Sequence, residues 1–265
     1  MSSATSTPAL FDLSGKVIIV TGGAVGIGKV YCQHLRSAGA LVVVADIKAD
    51  EAKALARELA GNSDDALAVT VDVAFEDQTL AMAEAAIGAY GRIDGLVNNA
   101  ALFTPLPRRP WHEVPLDEWD QVMAVNVRGI YLCCRAVYPQ MKSQGKGKIV
   151  NISSSTFRSG TGGFPHYVTS KGAVVGLTRA LSHELGAENI NINAISPGMT
   201  LSETYKEILT EDMIADRLDR QQKHASIKRL EVPEDLVGTM MFLLSDASDF
   251  LSGQTINVDG GLNFG

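Results

Sequence analysis

Cysteine is scarce in this chain of 265 residues. There are three, Cys32, Cys133 and Cys134, and two of them are adjacent. An odd count with that spacing is neither a disulfide framework nor a zinc motif, so the sequence reads as a reduced protein without a metal. Long apolar runs are also missing. The longest, 41–45 and 240–244, fall far short of the ~18 residues a membrane span needs. There is no basic surplus: 23 Lys and Arg stand against 30 Asp and Glu, for a net charge of −7. That balance argues against a nucleic-acid binder. Residues 1–10 have neither the basic segment nor the apolar core of a secretory signal. The expected location is the cytoplasm.

What is present is enough for a large core. Apolar residues make up 46% and charged residues 20%, which excludes general disorder. The 25 glycines suit many tight turns. Residues 1–9 are rich in Ser, Thr, Ala and Pro, so 1–10 is expected to be a flexible N-terminus. From Lys16 onward, short β-branched runs alternate with longer helical patterns. Strands are expected at 17–20, 41–45, 68–71, 93–97, 148–152, 190–195 and 255–258. Helices are expected at 28–38, 49–59, 76–89, 116–141, 167–185 and 233–245. This alternation predicts an α/β fold: one doubly wound, Rossmann-type domain over 11–265, a seven-stranded parallel sheet with helices on both faces. Two stretches break the rhythm, 103–115 with its four prolines and the polar 199–227. Each follows a strand, where ligands of open parallel sheets bind, so both are expected to be loops walling a substrate.

The first strand runs into Thr21-Gly22-Gly23-Ala24-Val25-Gly26-Ile27-Gly28 and then a helix. Glycines there permit a tight turn and let backbone N–H groups approach a pyrophosphate at a helix N-terminus. The second strand ends at Asp46. A carboxylate at that place accepts hydrogen bonds from the adenosine ribose and repels a 2′-phosphate, which favours NAD over NADP. Lys29 and Lys48 stand close in sequence and oppose that repulsion.

With this glycine spacing the chain resembles the short-chain dehydrogenase/reductases, in their single-domain branch of ~250 residues. The resemblance runs from about Phe11 to the C-terminus. It implies that Gly22, Val25, Gly26, Ile27, Gly28 and Asp46 bind the cofactor, with Asp72 and Val73 at the adenine. Asn98-Asn99-Ala100-Ala101 resembles the family's Asn-Asn-Ala-Gly, with Ala101 in place of the glycine. Pro197-Gly198 matches the segment beside the nicotinamide. The family usually places a threonine five residues after that proline. Here Ser202 holds the position, with Thr200 and Thr204 nearby, so the hydroxyl that meets the carboxamide is open, and Thr200 is one candidate. Gly253 to Gly261 matches the last strand and turn.

Tyr167 and Lys171 form the family's Tyr-x-x-x-Lys pair, and Ser154 has the usual offset upstream. The chemistry follows from the residues. Positions four apart share a helix face, so the ammonium can lie near the phenol. A nearby cation favours the phenolate and is expected to lower a phenol pKa from ~10. Tyr167 then exchanges a proton with a substrate hydroxyl as hydride moves to or from the nicotinamide. The resemblance implies that Ser154 binds the substrate oxygen and that Lys171 binds the nicotinamide ribose. It also implies that Asn126 anchors a water leading to Lys171. Residues between Ser154 and Tyr167 line the family's substrate pocket. Among these, Arg158 is a candidate for an anionic substrate group and His166 a candidate substrate contact. Arg108 and Arg109 are further cationic candidates.

The expected activity is NAD-dependent hydride transfer involving a secondary alcohol or sugar hydroxyl. Alternatives are reduction of a carbonyl or acyl thioester, and a non-catalytic dinucleotide-binding regulator. A serine hydrolase is excluded because Ser154 lacks the Gly-x-Ser-x-Gly elbow and a placed histidine. The resemblance further implies a homotetramer pairing the helices at 116–141 and 167–185.

Overall fold

The computed structural model describes residues 10–103 and 106–264. The expectation for 1–9 lies outside them, as do Thr104 and Pro105 of the first irregular stretch. Seven strands form one sheet: β1 Val17–Thr21, β2 Leu41–Asp46, β3 Ala66–Thr70, β4 Gly95–Asn98, β5 Gly147–Ile152, β6 Ile190–Pro197 and β7 Thr255–Val258. All pairings are parallel, in the order β3-β2-β1-β4-β5-β6-β7. The chain therefore reverses direction across the sheet between β1 and β4, the place where such sheets open a crevice.

The strands are apolar on both sides because both faces are covered. Ile18, Val20, Val42 and Val44 point into one core. There they meet Tyr31, Cys32 and Leu35 of α1 (Gly26–Ser37), Leu55 of α2 (Ala49–Ala60) and Met240 of α10 (Glu234–Leu244). Their neighbours Val17, Ile19, Val43 and Ala45 point the other way. They meet Met82 of α3 (Glu76–Tyr90), Cys133 and Val137 of α5 (Gly129–Gln144) and Val174 of α7 (Pro165–Leu185). At ~25 cal/mol per Å² of buried apolar surface, these two layers are the main source of stability. The three cysteines are buried and free.

Three expectations need correction. The helix expected at 116–141 is interrupted. Residues Leu116–Met123 form α4, Ala124–Arg128 form a π-helical turn, and only then does α5 begin. The wider turn carries Asn126, whose side-chain bonds to Leu102 and Ser170 hold it inward. The stretch 199–227 is not all loop. It contains α8 (Glu203–Lys206) and α9 (Glu211–His224). Each starts at a hydroxyl cap: Ser202 Oγ accepts from Tyr205 N, and Thr210 Oγ1 accepts from Met213 N. The third strand starts earlier than expected, at Ala66, because Ala66 through Thr70 pair in register with Val42 through Asp46. Between β5 and α7 lies α6 (Thr156–Ser159), a single turn. Among the described residues no helix is long and apolar enough to cross a membrane.

Candidate active site

One cleft of about 1180 Å³ opens over the carboxyl ends of the strands. Gly22, Val25, Gly26, Ile27 and Asp46 line one end. Asp72, Val73, Asn99 and Ala100 follow, then Ser154, Tyr167 and Lys171, with Pro197, Gly198 and Thr200 on the far wall.

The glycine turn is built by close approach. Gly22 has φ +61°, and a Cβ there would sit 2.9 Å from Ala100 Cα. Asn99 Nδ2 donates to the carbonyls of Thr21 (3.1 Å) and Gly22 (3.0 Å), so the segment just after β4 braces the turn. Gly28 does not line the cleft. A methyl on it would overlap the Gly22 carbonyl oxygen, so this glycine lets α1 press against the turn. Asp46 is buried at the tip of β2. Its Oδ2 accepts from Ala24 N at 2.9 Å and its Oδ1 from Lys48 N at 3.0 Å. The carboxylate that faces the cleft thus also fixes the glycine turn. Asp72 Oδ1 accepts from Ala74 N at 3.0 Å and holds the corner after β3.

Asn98 departs from expectation. Its side chain donates to Asn151 Oδ1 at 2.8 Å, and Asn151 Nδ2 donates to Thr178 Oγ1 at 2.9 Å. This buried ladder ties β4 to β5 and α7, and Asn98 does not line the cleft. The alternation of side chains along a strand separates it from Asn99.

At the other end, Tyr167 and Lys171 lie one turn apart on α7, both buried. Lys171 Nζ donates to Ile152 O at 2.8 Å and stands 5.6 Å from the Tyr167 ring centroid. Ser153 Oγ donates to Lys171 O at 2.8 Å, locking β5 to the helix. Ser154 Oγ accepts from Thr156 N and from Thr156 Oγ1 at 3.0 Å. The expected lowering of the phenol pKa is not found in the chain itself. Burial pushes Tyr167 up to about 12, the Ser154 hydroxyl opposes this, and Tyr205 adds to it. Burial alone lowers Lys171 to about 8. Asn126, fully buried, donates to Leu102 O and Ser170 Oγ, each at 3.1 Å, and accepts from Leu102 N at 2.7 Å. It joins α7 to the segment after β4.

Both substrate candidates between Ser154 and Tyr167 are displaced. Arg158 does not line the cleft; its guanidinium lies 5.1 Å over the Phe157 ring. The turn of α6 carries it away. His166 is fully buried outside the cleft, with Nε2 at 3.2 Å from Glu118 Oε1 and its ring stacked on Trp119. Arg109 also pairs with Glu118, at 3.2 Å. Arg108 does line the cleft, as do Arg217 and Arg220 of α9, and its guanidinium lies 5.2 Å over the Phe164 ring. Thr200 lines the cleft, but its hydroxyl donates to Glu231 Oε1 at 2.7 Å. Ser202 and Thr204 are the hydroxyls that face Gly26.

Sequence reasoning missed an aromatic group beside Tyr167. The Phe103 ring centroid is 4.6 Å from that of Tyr167, 5.5 Å from Tyr205 and 5.9 Å from Phe164. The available signal was their place in the stretches 103–115 and 199–227, each after a strand end, which singled out neither ring.

A Rossmann-type sheet with a braced glycine turn and a buried Tyr–Lys pair on one cleft is the architecture of an oxidoreductase. Residues 22–263 match the family model described as enoyl-(acyl carrier protein) reductase. An uncharacterized oxidoreductase of Mycobacterium tuberculosis (strain H37Rv) is 43% identical over 252 residues, covering 95% of this chain and 98% of that protein. A probable galactose dehydrogenase of Rhizobium meliloti is 37% identical over 253 residues, covering 95% and 96%. The crystal structure of 3-ketoacyl-(acyl-carrier-protein) reductase from Brucella melitensis, complexed with NADH, superposes with a TM-score of 0.86 at 30% identity, covering 95% of this chain and 100% of that one. The chain belongs to the short-chain dehydrogenase/reductase family.

Proposed function

We propose that the protein is an NAD-dependent dehydrogenase that oxidises a secondary alcohol or sugar hydroxyl, with Tyr167 as the acid/base. The observation that carries this reading is the Tyr167–Lys171 pair, buried on one helix face in the same cleft as Asp46. The residues present fit a dinucleotide. The turn at Gly22 to Gly26 leaves room for a pyrophosphate, and Asp46 faces the cleft where a ribose diol would sit. Its carboxylate disfavours a 2′-phosphate, and every ~1.4 kcal/mol of that repulsion is a tenfold preference for NAD. When bound, the oxidised dinucleotide supplies the hydride acceptor and a positive ring charge. Tyr167, beside that charge and Lys171, releases its proton more readily than its burial alone allows. Ser154 donates to the substrate oxygen and holds it at the phenol. Lys171, anchored on Ile152 O, holds the ribose hydroxyls. Asn126 keeps α7 and the segment after β4 in register for this work.

The wall around Tyr167 supports a polyhydroxylated substrate with an apolar face. Ser154, Thr156, Ser159 and Thr161 offer hydroxyls, while Phe103 and Tyr205 offer flat rings. The relative named as a probable galactose dehydrogenase fits that class. An anionic substituent would meet Arg108 rather than Arg158. NAD is kept mostly oxidised in cells, which favours the oxidative direction. The reading includes a homotetramer, supported by the exposed Leu116 on α4 and Tyr131 on α5, and a cytoplasmic location.

The test is appearance of NADH from a matched panel of neutral sugars, sugar acids and secondary alcohols, run with NAD and then NADP. Turnover with NAD is expected. Turnover with NADP alone would refute the role given to Asp46, and carbonyl reduction without any reverse reaction would refute the direction.

A further inference from the structure

Glu231 has no part in the chemistry above. It lies between α9 and α10 and is only 7% exposed. The loop after β6 takes up its carboxylate. Gly198 N donates to Oε2 at 2.9 Å, and the Thr200 hydroxyl donates to Oε1 at 2.7 Å. Its backbone carbonyl accepts from Leu201 N at 2.8 Å. The fit is close, since a Cβ on Gly198 would stand 2.7 Å from Oε2.

This carboxylate is buried without a counter-ion. Among the described residues no cation lies within ion-pair distance of Glu231; the adjacent Arg229 feels its charge but is held by both oxygens of Asp235 at 2.6 Å. The other groups that face it are Asp235 of α10, Asp259 after β7 and the Tyr31 phenol of α1, none of them a cation. Burial raises its pKa to about 7, the two hydrogen bonds oppose this, and Asp235 and Asp259 add repulsion. Burying an unpaired charge is costly, and a neutral amide could keep both partners, its oxygen accepting from Gly198 N and its NH2 donating to the Thr200 hydroxyl. Holding the loop therefore explains the shape of Glu231 but not its charge.

The position of the loop accounts for the charge. Pro197, Gly198, Met199 and Thr200 line the cleft, and Pro197 O accepts from Ser155 N at 2.8 Å, next to Ser154. Asp46 marks the adenosine end of the cleft and Tyr167 the reacting end, so this loop flanks the ring that exchanges hydride. That ring is positive when oxidised and neutral when reduced. We propose that Glu231 is a positioning residue that fixes Gly198 and Thr200 against the nicotinamide end of the cleft, and that its charge favours the oxidised over the reduced dinucleotide. The inference rests on the NAD-binding reading above.

The test is equilibrium titration of NAD and NADH into the wild type and Glu231→Gln, at about pH 8.5 and about pH 5.5. The amide can keep both partners, with the Thr200 hydroxyl turned to accept, and it removes the charge. NADH is expected to bind within about twofold of the wild type at either pH, and NAD about threefold to tenfold more weakly at about pH 8.5. The difference closes at about pH 5.5, where the wild-type carboxyl is protonated. Titration of Lys171 is common to both proteins and cancels. An equal NAD-to-NADH affinity ratio in the two proteins at about pH 8.5 would overturn the role of the charge. Thr200→Val is the second variant: it removes one contact and leaves the charge. It is expected to weaken both nucleotides together with their ratio kept, and unchanged affinities would overturn the positioning role. A wild type that binds neither nucleotide overturns the cofactor reading and this inference with it. Equal ratios on proteins that bind both overturn this inference alone.

Discussion

Lys171→Met should make the protein more stable and less active at once. Lys171 is 2% exposed, and among the described residues its ammonium donates one hydrogen bond, to Ile152 O. Burial lowers its pKa from 10.5 to about 8. Between those values the unfolded chain binds more protons than the folded one, so stability rises with pH. Well below pH 8 the fall from 10.5 costs ~3 kcal/mol, at ~1.4 kcal/mol for each tenfold change. Methionine is close in length and carries no charge. It leaves the Ile152 carbonyl without this donor, at about 1 kcal/mol. The net gain near pH 7 is about 2 kcal/mol, or roughly 4–8 °C in Tm for a chain of this size. Near pH 10 the wild-type lysine is neutral when folded and the penalty has shrunk to about 1 kcal/mol, so the two proteins should melt together. The assay is thermal unfolding across that pH range, with turnover measured beside it. A variant no more stable than the wild type at pH 7, with the same pH slope, would refute the argument that Lys171 is held at the expense of stability.

Other perturbations separate packing from chemistry. Gly28→Ala drives a methyl into the Gly22 carbonyl; it should cost about 1–3 kcal/mol in unfolding experiments and weaken nucleotide binding at least about tenfold by titration. Arg158→Ala should leave KM unchanged for neutral and acidic substrates alike. Arg108→Ala should raise KM at least about tenfold for acidic members of the panel only. Stability should also fall above about pH 10 as the unfolded chain loses the Tyr167 proton that the folded chain keeps up to about 12, and Tyr167→Phe should remove that loss in alkaline melts.

Much of this architecture was legible because it obeys short-range rules. Apolar runs such as 41–45 report a strand buried on both faces, and Gly22 to Gly28 between a strand and a helix reports its turn. Tyr167 and Lys171 are one helical turn apart, so their partnership needs no tertiary information. What escaped depends on contacts far apart in sequence or on a local change of geometry. The helix α9 buries only Gln221, so it leaves no apolar stripe to read. The π-helical turn at Ala124–Arg128 is set by bonds from Asn126 to Leu102 and Ser170. Arg108 rather than Arg158 reaches the cleft because a single turn, α6, reorients the segment after Ser154. Glu231 meets Thr200 across 31 positions, and nothing near either residue announces the contact.

The most direct test of the account is the split between binding and turnover in Tyr167→Phe. NADH formation from an accepted substrate and the Kd for NAD should be measured on the same preparations. Loss of the phenolic hydroxyl should lower kcat by about 10²–10⁴ while NAD binds within about twofold of the wild type. Turnover that survives the substitution would contradict Tyr167 as the acid/base and with it the proposed chemistry of the cleft.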